Sequence, residues 1–353
     1  MEPAVDTSEL RRILIIKLSS LGDIVHTLPV LPLLKDGFPE AEICWLVERR
    51  HQPLLLHNPF IDRLITVDTL RWRKKPFSLS TYRELFASIR ELRQRKFDLA
   101  IDFQGLIKSG LLAFLSGAPL RLGFGKDDLR EPWSGIFLNR RRSSSPYEVH
   151  VIDKNLGLLH PLGIDSSRVE FPLVFSGEAE RYVTEGLSAL KIGDFIIINP
   201  GGGWRSKRWS TEKYASLGDM VIDQMGYHIL LTWGPGEREL AMEVASRMRN
   251  SPAISFPTDI PQLIALIKRA KLLVGGDSAP LHLAVASGTP VVGIYGPSDP
   301  ARNGPYNPAD IVVRKEVPCA PCYKRDCGAE PCMGAITPEE VFEAVNRRLE
   351  GLR

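Results

Sequence analysis

The chain has 353 residues, of which 44% are hydrophobic and 25% are charged, and its net charge at pH 7 is only +3. This length exceeds what one hydrophobic core usually organises, so we expect two domains. The ordinary composition excludes a disordered chain, and the small net charge argues against a dedicated nucleic-acid-binding protein. No apolar run approaches the roughly 20 residues that cross a bilayer, and residues 1–12 lack a signal-peptide core. We therefore predict a cytoplasmic protein without a membrane span.

Short apolar segments alternate with segments of helical spacing through the first half of the chain, which is typical of βαβ units. A looser stretch covers Asp127–Pro146, and a helix is predicted around Val149–His160. The segment Tyr82–Lys96 is predicted as an amphipathic surface helix, whose apolar face consists of Tyr82, Leu85, Phe86, Ile89 and Leu92. The predicted strands of this half are Ile13–Ile16, Ile43–Val47, Leu64–Val67 and Leu99–Phe103.

The alternation restarts in the second half and indicates a second parallel sheet. Two doubly wound α/β domains are predicted, with residues 1–175 in a first Rossmann-like domain and residues 176–336 in a second. The carboxyl ends of both sets of strands are expected to surround one crevice. A final helix, about Pro338–Arg348 within residues 337–353, is expected to return to the first domain. The predicted strands of this half are Phe195–Asn199, Ile229–Trp233, Leu272–Gly275 and Val291–Tyr295.

The first predicted strand ends in Lys17–Asp23, and a helix is predicted after it, so Asp23 lies at a strand-to-helix turn. One interpretation is that Ser19, Ser20 or Asp23 only caps that helix. The other is that the Asp23 carboxylate faces the crevice as a general base. The glycine patterns of dinucleotide-binding proteins and P-loop enzymes are absent from the sequence, which argues against a dehydrogenase or a kinase.

A glycine-rich loop, Gly201–Gly203, follows the first strand of the second domain and precedes Lys207. Backbone this unhindered can approach a phosphate closely, and Lys207 supplies a positive charge for it. The alternative is a flexible surface loop with solvated basic side chains. The sequence alone does not separate these two interpretations.

A third constellation, Gly275–His282, joins a predicted strand to a helix that begins near Asp277 or Ser278, with Pro280 just inside it. Free N–H groups and the helix dipole at such an end bind anions, so a pyrophosphate fits there. His282 lies about one turn further in and would point toward the same helix end. A lone helical histidine is otherwise more often packed or exposed than catalytic.

Five segments, in order along nearly the whole chain, resemble the ADP-heptose:lipopolysaccharide heptosyltransferases, which form glycosyltransferase family 9. The resemblance implies the GT-B architecture, in which two Rossmann-like domains face a central cleft. It also implies an inverting transfer of L-glycero-D-manno-heptose from ADP-heptose to the inner core of lipopolysaccharide. The segments are Lys17–Pro29, Gly201–Trp209, Trp233–Glu237, Gly276–His282 and Tyr295–Pro300.

The same resemblance implies a role for each matching residue. Asp23 matches the catalytic base, and Lys207 matches the residue that contacts the donor phosphates and assists catalysis. Glu237 matches the ribose-binding carboxylate, and Thr258 falls where the backbone borders adenine. The other donor-binding candidates are Ser19, Ser20, Gly22, Gly202, Gly203, Asp277, Ser278, Ala279 and His282.

Two basic segments look most like the branch of the family that acts first, on Kdo attached to lipid A. That acceptor is rich in carboxylates and phosphates, which arginine pairs with well, and it implies peripheral association with the inner membrane. Three glycines in the donor loop and a cysteine-rich segment depart from that branch, so a different core acceptor, as in the second and third heptosyltransferases, stays open. The acceptor-binding candidates are Arg71, Arg73, Lys74 and Arg130.

Four closely spaced cysteines lie between residues 319 and 332, in a compartment that we expect to be reducing. A structural zinc site, a redox-sensitive pair and plain reduced thiols are all open interpretations. No Asp-x-Asp pair of the metal-dependent glycosyltransferases is present, so no cofactor is required, although Mg²⁺ could assist. The cysteines are Cys319, Cys322, Cys327 and Cys332.

Two proteins from other classes compete with this interpretation. A nucleotide-sugar-binding protein without catalysis would keep Glu237 and the Asp277 region but would not need Asp23 or the basic segments. An epimerase is the second rival, because the same two-domain architecture hosts that reaction and a fold alone does not fix function. The presence of both Asp23 and the basic segments favours the transferase.

Overall fold

The computed structural model describes Thr7 and residues 9–75, 77–165 and 168–352. Two compact units divide the chain, Met1–Val174 and Phe175–Arg353, and the division falls beside the boundary predicted from the sequence. Each unit contains a six-stranded sheet with helices between its strands, so the predicted α/β class is confirmed.

The sheet of the first unit is parallel throughout, and its central strands are continuous apolar runs. Residues 13–16 of the first strand and all of the fourth strand are buried, as expected when helices cover both faces of a sheet. The strands are β1 Arg12–Ile16, β2 Glu42–Glu48, β3 Arg63–Val67, β4 Leu99–Asp102, β5 Leu120–Phe124 and β6 Arg140–Arg142. Their order across the sheet is β3-β2-β1-β4-β5-β6.

Strand β6 lies inside the stretch that the sequence analysis predicted as a loose connection. It consists of three arginines, of which Arg140 and Arg141 are exposed, and it pairs with β5 at the edge of the sheet. An edge strand does not need the apolar pattern of a central one, and charged side chains protect its open side. The apolar pattern of the sequence therefore could not predict strand β6.

The helices of the first unit follow the predicted alternation, with one difference after Asp23. The predicted helix there is divided in two, because Pro29 lacks a backbone N–H and stands as the N-cap of the second part. Single 3₁₀ segments occur at Arg49–Leu54, Pro132–Phe137 and His160–Leu162. The helices are α1 Leu21–Val25, α2 Val30–Gly37, α3 Thr69–Lys74, α4 Leu79–Gln94, α5 Ile107–Leu115 and α6 Val151–Gly157.

Helix α4 carries apolar residues on two faces rather than on the single predicted one. Leu92 is buried, and Leu85 and Ile89 are half-buried. Tyr82 and Phe86, which were predicted to share that face, are instead 43% and 68% exposed. The inward face of α4 is therefore narrower than the sequence pattern suggested.

The second unit repeats the arrangement of the first. Its sheet is parallel, and β7, β10 and β11 are buried along their whole length. The strands are β7 Phe195–Asn199, β8 His228–Leu231, β9 Ala253–Ile254, β10 Leu272–Gly276, β11 Val291–Tyr295 and β12 Ile311–Arg314. Their order is β12-β11-β10-β7-β8-β9, so the first strand of each unit lies beside the fourth.

The final helix contacts other elements of the second unit. It packs against a helix and strands of that unit, and Arg348 Nε donates to Asp310 Oδ1 at 2.9 Å. These contacts hold the final helix against the second unit, and its return to the first domain stays a prediction. The helices of the unit are α7 Gly177–Leu190, α8 Thr211–Met225, α9 Arg238–Arg247, α10 Ile260–Arg269, α11 Ala279–Ala286, α12 Pro300–Asn303, α13 Pro331–Gly334 and α14 Pro338–Glu350.

Among the described residues, no helix combines the length and the apolar character that a bilayer-crossing helix needs.

Candidate active site

Each sheet reverses its strand order between its first and fourth strands, and ligands of open α/β sheets bind beyond the carboxyl ends of the strands at such a point. In the first unit, the point lies between β1 and β4. The predicted residues Ser19, Ser20 and Asp23 follow β1, and Gly22 is buried in the first turn of α1. These candidates therefore occupy the expected edge of the sheet.

Asp23 lies in the first turn of α1 and accepts two hydrogen bonds from Ser20. The backbone N–H of Ser20 donates at 2.8 Å and its hydroxyl at 2.9 Å, both to Oδ2 of Asp23. Asp23 therefore does cap the helix, as the first interpretation held. Within the described residues no hydrogen bond ends on Oδ1, so one carboxylate oxygen remains for a proton.

The surroundings of Asp23 keep it ionised. Burial alone would raise the pKa of this carboxyl, but the charge of Lys17, the two hydrogen bonds from Ser20 and the charge of Arg130 outweigh it. Together they hold the pKa of Asp23 below its ordinary value of 3.8. At neutral pH the group is therefore a carboxylate, which is the form that accepts a proton.

The loop that carries Asp23 is fixed by the loop after β4, a role that the sequence analysis missed. Gln104 is 7% exposed, and its Oε1 accepts from the backbone N–H groups of Leu18 and Ser19 at 3.0 and 3.1 Å. Lys17 Nζ donates to the Phe103 carbonyl oxygen at 2.7 Å. A buried amide between two turns has no signature in the sequence, because its partners are more than 80 residues away.

His51 is a second residue near Asp23 that the sequence analysis missed. It lies in the 3₁₀ segment after β2 and is 9% exposed, and its Nε2 has no hydrogen-bond partner among the described residues. Burial and the charge of Arg50 lower the pKa of His51 from 6.5 to about 4, against the opposing charge of Asp23. The imidazole is therefore neutral at pH 7.

The lowered pKa of His51 predicts an acid-sensitive contribution to stability. Between pH 6.5 and about 4, the unfolded chain binds a proton at this histidine and the folded chain does not, so the free energy of unfolding falls as the pH falls through this window. We expect His51→Gln to lose this sensitivity. The difference in melting temperature between the variant and the wild type should therefore shift in favour of the variant as the pH is lowered from 6.5 to 4. A constant difference across that range, measured by thermal unfolding, would contradict the assignment.

The predicted acceptor residues occur in two places in the first unit. Arg71, Arg73 and Lys74 lie on α3 directly after β3 and are exposed, while Arg71 pairs with Glu84 at 2.6 Å. Trp72, which lies between these charges in the sequence, packs against the core of the unit. Arg130 is exposed and is near enough to Asp23 to affect its pKa.

In the second unit, the order reverses between β7 and β10, and Lys207 and Asp277 meet at that point. Lys207 Nζ lies 2.5 Å from Asp277 Oδ2, while His282 Nε2 lies 3.0 Å from Oδ1, which also accepts from Asn303 Nδ2 at 2.9 Å. Burial alone would raise the pKa of Asp277, but His282 and Lys207 hold it well below its ordinary range. A Cβ at Gly276 would lie 2.7 Å from the Lys207 carbonyl oxygen, so glycine is what permits this approach.

The start of α11 stands beside this cluster. Ser278 is the N-cap, Ala279 is the first helical residue, and both are half-buried. The hydroxyl oxygen of Ser278 is buried and has no partner among the described residues. On the facing loop, a Cβ at Gly203 would meet open space, and one at Gly202 would meet nothing closer than 3.9 Å. The backbone there is open to a ligand.

Glu237 follows β8 and joins two loops of the second unit. Its Oε1 accepts from the N–H of Gly202 at 2.9 Å, and its Oε2 accepts from the N–H of Gly234 at 3.2 Å. The carboxylate also lies where a Cβ at Gly201 would be, so Glu237 supports the glycine-rich loop directly. Thr258 lies in the loop between β9 and α10, two strands away from β7 across the sheet.

The cysteine-rich segment forms no metal site in the described part of the chain, where no group of three or more His, Cys, Asp or Glu side chains is placed to hold an ion. Cys319, Cys322, Cys327 and Cys332 are free thiols. Burial raises the pKa of Cys332, and Cys319 and Cys322 raise it further.

Comparison with known proteins identifies the family. The family model of glycosyltransferase family 9 (heptosyltransferase) matches residues 85–333. The lipopolysaccharide heptosyltransferase 1 of Pseudomonas aeruginosa is 28% identical over 91% of this chain and 88% of its own length. The lipopolysaccharide heptosyltransferase 3 of Escherichia coli K12 is 29% identical over 79% of this chain and 80% of its own.

Solved structures of this family share the fold. A family 9 glycosyltransferase of Veillonella parvula matches with a TM-score of 0.83 and 25% identity, covering 97% of this chain and 98% of its own. The E. coli heptosyltransferase WaaC with ADP matches with a TM-score of 0.78 and 24% identity, covering 96% and 99%. The GT-B fold is thereby confirmed. The resemblance found in the ordered sequence motifs was correct, and the chain belongs to glycosyltransferase family 9, the heptosyltransferase family.

Proposed function

We propose that this glycosyltransferase moves L-glycero-D-manno-heptose from ADP-heptose to Kdo in the inner core of a lipopolysaccharide acceptor. The names of the relatives, lipopolysaccharide heptosyltransferases 1 and 3, support the pathway and the sugar. The observation that carries the proposal is the half-buried carboxylate of Asp23, which is held ionised at the switch point of the first sheet.

Asp23 serves as the general base of an inverting transfer in this proposal. The acceptor hydroxyl attacks the anomeric carbon from the face opposite the departing ADP and becomes acidic as the new bond forms. Oδ1 of Asp23 takes its proton, while Oδ2 stays bonded to Ser20 and fixes the orientation of the carboxylate. Because the pKa of Asp23 is low, proton transfer accompanies bond formation rather than preceding it.

The leaving diphosphate is bound in the second unit. Lys207 donates one of its three N–H groups to Asp277, and the other two can donate to the β-phosphate. The N–H groups at Ser278 and Ala279 and the unpartnered Ser278 hydroxyl supply neutral donors at a helix N-terminus. These groups offset the growing negative charge without a metal, and an Mg²⁺ ion is compatible with the arrangement.

The rest of the donor is assigned through the family resemblance. Each carboxylate oxygen of Glu237 accepts one hydrogen bond from a backbone N–H group. Each oxygen therefore has a second lone pair that can accept from a ribose hydroxyl. The open backbone at Gly202 and Gly203 admits the phosphates, and Thr258 borders the adenine ring. His282 acts through Asp277, which it holds ionised beside Lys207.

The acceptor is bound by the first unit. Arg130 and the exposed side chains of Arg73 and Lys74 suit the carboxylates and phosphates of a Kdo-bearing lipid. Such an acceptor implies that the enzyme works at the cytoplasmic surface of the inner membrane. A heptosylated core acceptor, as used by the second and third heptosyltransferases, is the alternative within the family, since one relative of that kind is 29% identical.

Incubation with ADP-heptose, with and without a Kdo-bearing acceptor, tests the proposal. We expect ADP to be released only when the acceptor is present. Binding of ADP-heptose without release would indicate a nucleotide-sugar-binding protein, and conversion of the donor sugar without acceptor would indicate an epimerase. Release with a heptosylated acceptor but not with Kdo would assign the chain to the later step.

The two basic residues of α3 predict a selective effect on the acceptor. Arg73→Ala combined with Lys74→Ala should raise KM for the acceptor and leave KM for ADP-heptose within about twofold. Both side chains are exposed and paired with no described acidic residue, so the fold should tolerate their removal. Steady-state kinetics with each substrate varied in turn would reveal the change. If KM for the donor moves instead, these residues belong to the nucleotide side.

A further inference from the structure

Helix α4 exposes large apolar side chains that no described part of the chain covers. Leu79 is 78% exposed, Tyr82 43% and Phe86 68%, and Phe77, just before the helix, is 89% exposed. The three helical residues are spaced by three and four positions, so they form one stripe along α4. Isolated exposed apolar residues are ordinary, but a continuous stripe marks an interaction surface.

The neighbouring helix carries a second exposed apolar stripe. Helix α5 contacts α4, and Arg93 Nε of α4 donates to the Leu115 carbonyl oxygen of α5 at 3.3 Å. Ile107, Leu111 and Phe114 form the exposed stripe of α5, at 42%, 39% and 51% exposure. Sixteen large apolar side chains are exposed among the described residues. Seven of them, these three and the four at α4, lie within residues 77–114. The apolar exposure is therefore concentrated, not scattered.

Positive charge is concentrated in the same segment. Residues 69–95 contain eight basic residues and two acidic ones, a net charge of +6, whereas the whole chain carries +3. The rest of the chain is thus net negative, at −3. Of the two acidic residues, Glu84 is paired with Arg71 at 2.6 Å and Glu91 is only half-buried on the same helix. Arg83 and Arg90 are exposed and alternate with the apolar stripe, and they line the same surface groove together with the single acidic residue Glu91.

We propose that the exposed face of α4, formed by Phe77, Leu79, Tyr82, Arg83, Phe86 and Arg90, docks on the surface of an anionic lipid bilayer. An interfacial helix combines an apolar stripe with flanking basic residues, and its affinity comes from apolar burial together with attraction to anionic headgroups. A second copy of this chain is a poorer occupant, because two copies of this face would bring their excess positive charges together. The inference rests on the proposed function only in so far as that function uses a lipid-linked acceptor.

The docking face differs from the residues assigned to the acceptor. Arg73, Lys74 and Arg130 bind the acceptor headgroup in the proposed function, whereas Arg83 and Arg90 hold the enzyme on the bilayer. The two sets therefore predict different losses. Variants of the docking face should retain transfer to a water-soluble, deacylated acceptor and lose activity only on acceptor embedded in vesicles.

Sedimentation with vesicles tests the docking face. The probes are vesicles of phosphatidylcholine with about one quarter phosphatidylglycerol, and vesicles of phosphatidylcholine alone. We expect the wild type to bind the anionic vesicles and to be released by salt. Leu79→Ser with Phe86→Ser, and separately Arg83→Ala with Arg90→Ala, should each weaken that binding by about tenfold or more.

Matched controls come from exposed residues elsewhere. Tyr147→Ser with Met242→Ser removes apolar exposure, and Arg181→Ala with Arg238→Ala removes exposed charge; both should bind like the wild type. Wild-type binding by the α4 variants, or absence of binding by the wild type, overturns the docking face. A change in oligomer mass on size exclusion without a change in vesicle binding overturns it too and indicates self-association.

The same measurements separate this inference from the proposed function. Vesicle binding that depends on α4, without heptose transfer to any acceptor, would leave the docking face standing and reject the proposed function. Transfer to the soluble acceptor, without vesicle binding, would reject the docking face alone.

Discussion

Asp23→Ala is expected to lower turnover by about 10²-fold or more, while the affinity for ADP-heptose stays nearly unchanged. The proposed base acts on the acceptor's proton in the transition state, and most of the proposed donor-binding residues lie in the second unit. Turnover under saturating substrates, together with donor binding by calorimetry, measures the two effects separately. Near-normal turnover would remove Asp23 from the mechanism.

A matched variant separates the base from the helix cap. Asp23 also accepts two hydrogen bonds from Ser20, so alanine removes a cap worth about 1 kcal/mol as well as the base. Asp23→Asn keeps an oxygen that can accept those hydrogen bonds but cannot take a proton at neutral pH. We expect the asparagine variant to melt like the wild type and to lose as much turnover as the alanine variant. Full activity in asparagine with loss in alanine would make Asp23 structural only.

Lys207→Ala is expected to weaken both ADP-heptose binding and turnover, the latter by about 10²–10³-fold, as for the loss of one donor to a developing oxyanion. In the proposed function, the charge of Lys207 contacts the diphosphate before and during cleavage, so it would stabilise both the bound donor and the transition state. Donor titration and single-turnover kinetics report the two losses. Unchanged donor affinity with an unchanged rate would leave Lys207 as the counter-ion of Asp277.

The ion pair complicates this variant and also supplies its control. Removing Lys207 leaves the Asp277 carboxylate, which is 6% exposed, with His282 and Asn303 but without its lysine, and loss of one partner of a buried ion pair is destabilising. Lys207→Met with Asp277→Asn removes both charges and should recover the melting temperature. We expect donor binding to stay weak in this double variant. Its recovery there would show that Lys207 only neutralises Asp277.

The site residues that sequence patterns predicted are those that lie at strand ends. Central strands of a parallel sheet are continuous apolar runs, so the sequence was sufficient to predict β1, β7 and β10. The turns that carry Asp23, Lys207 and Asp277 follow these strands and could be predicted with them. The order of the elements along the chain assigned each of these turns to one of the two predicted sheets. The roles of these residues came from the family resemblance, since capping and catalysis both suit an aspartate at such a turn.

The residues that were missed act through distant partners. Gln104 binds backbone groups more than 80 residues earlier, and Asn303 reaches Asp277 across 26 positions. The buried, neutral state of His51 depends on packing that no local pattern encodes. Helix α4 shows that local spacing does not predict burial either. The spacing of its apolar residues predicted one buried face, but the structure leaves some of those residues exposed.

Mass spectrometry of the acceptor after incubation with ADP-heptose shows whether the proposed heptose transfer occurs. With a defined acceptor that ends in Kdo, we expect a product heavier by one heptosyl residue, formed by the wild type and reduced about 10²-fold or more in Asp23→Asn. An acceptor of unchanged mass in the presence of wild-type enzyme, or equal product from Asp23→Asn, would contradict it.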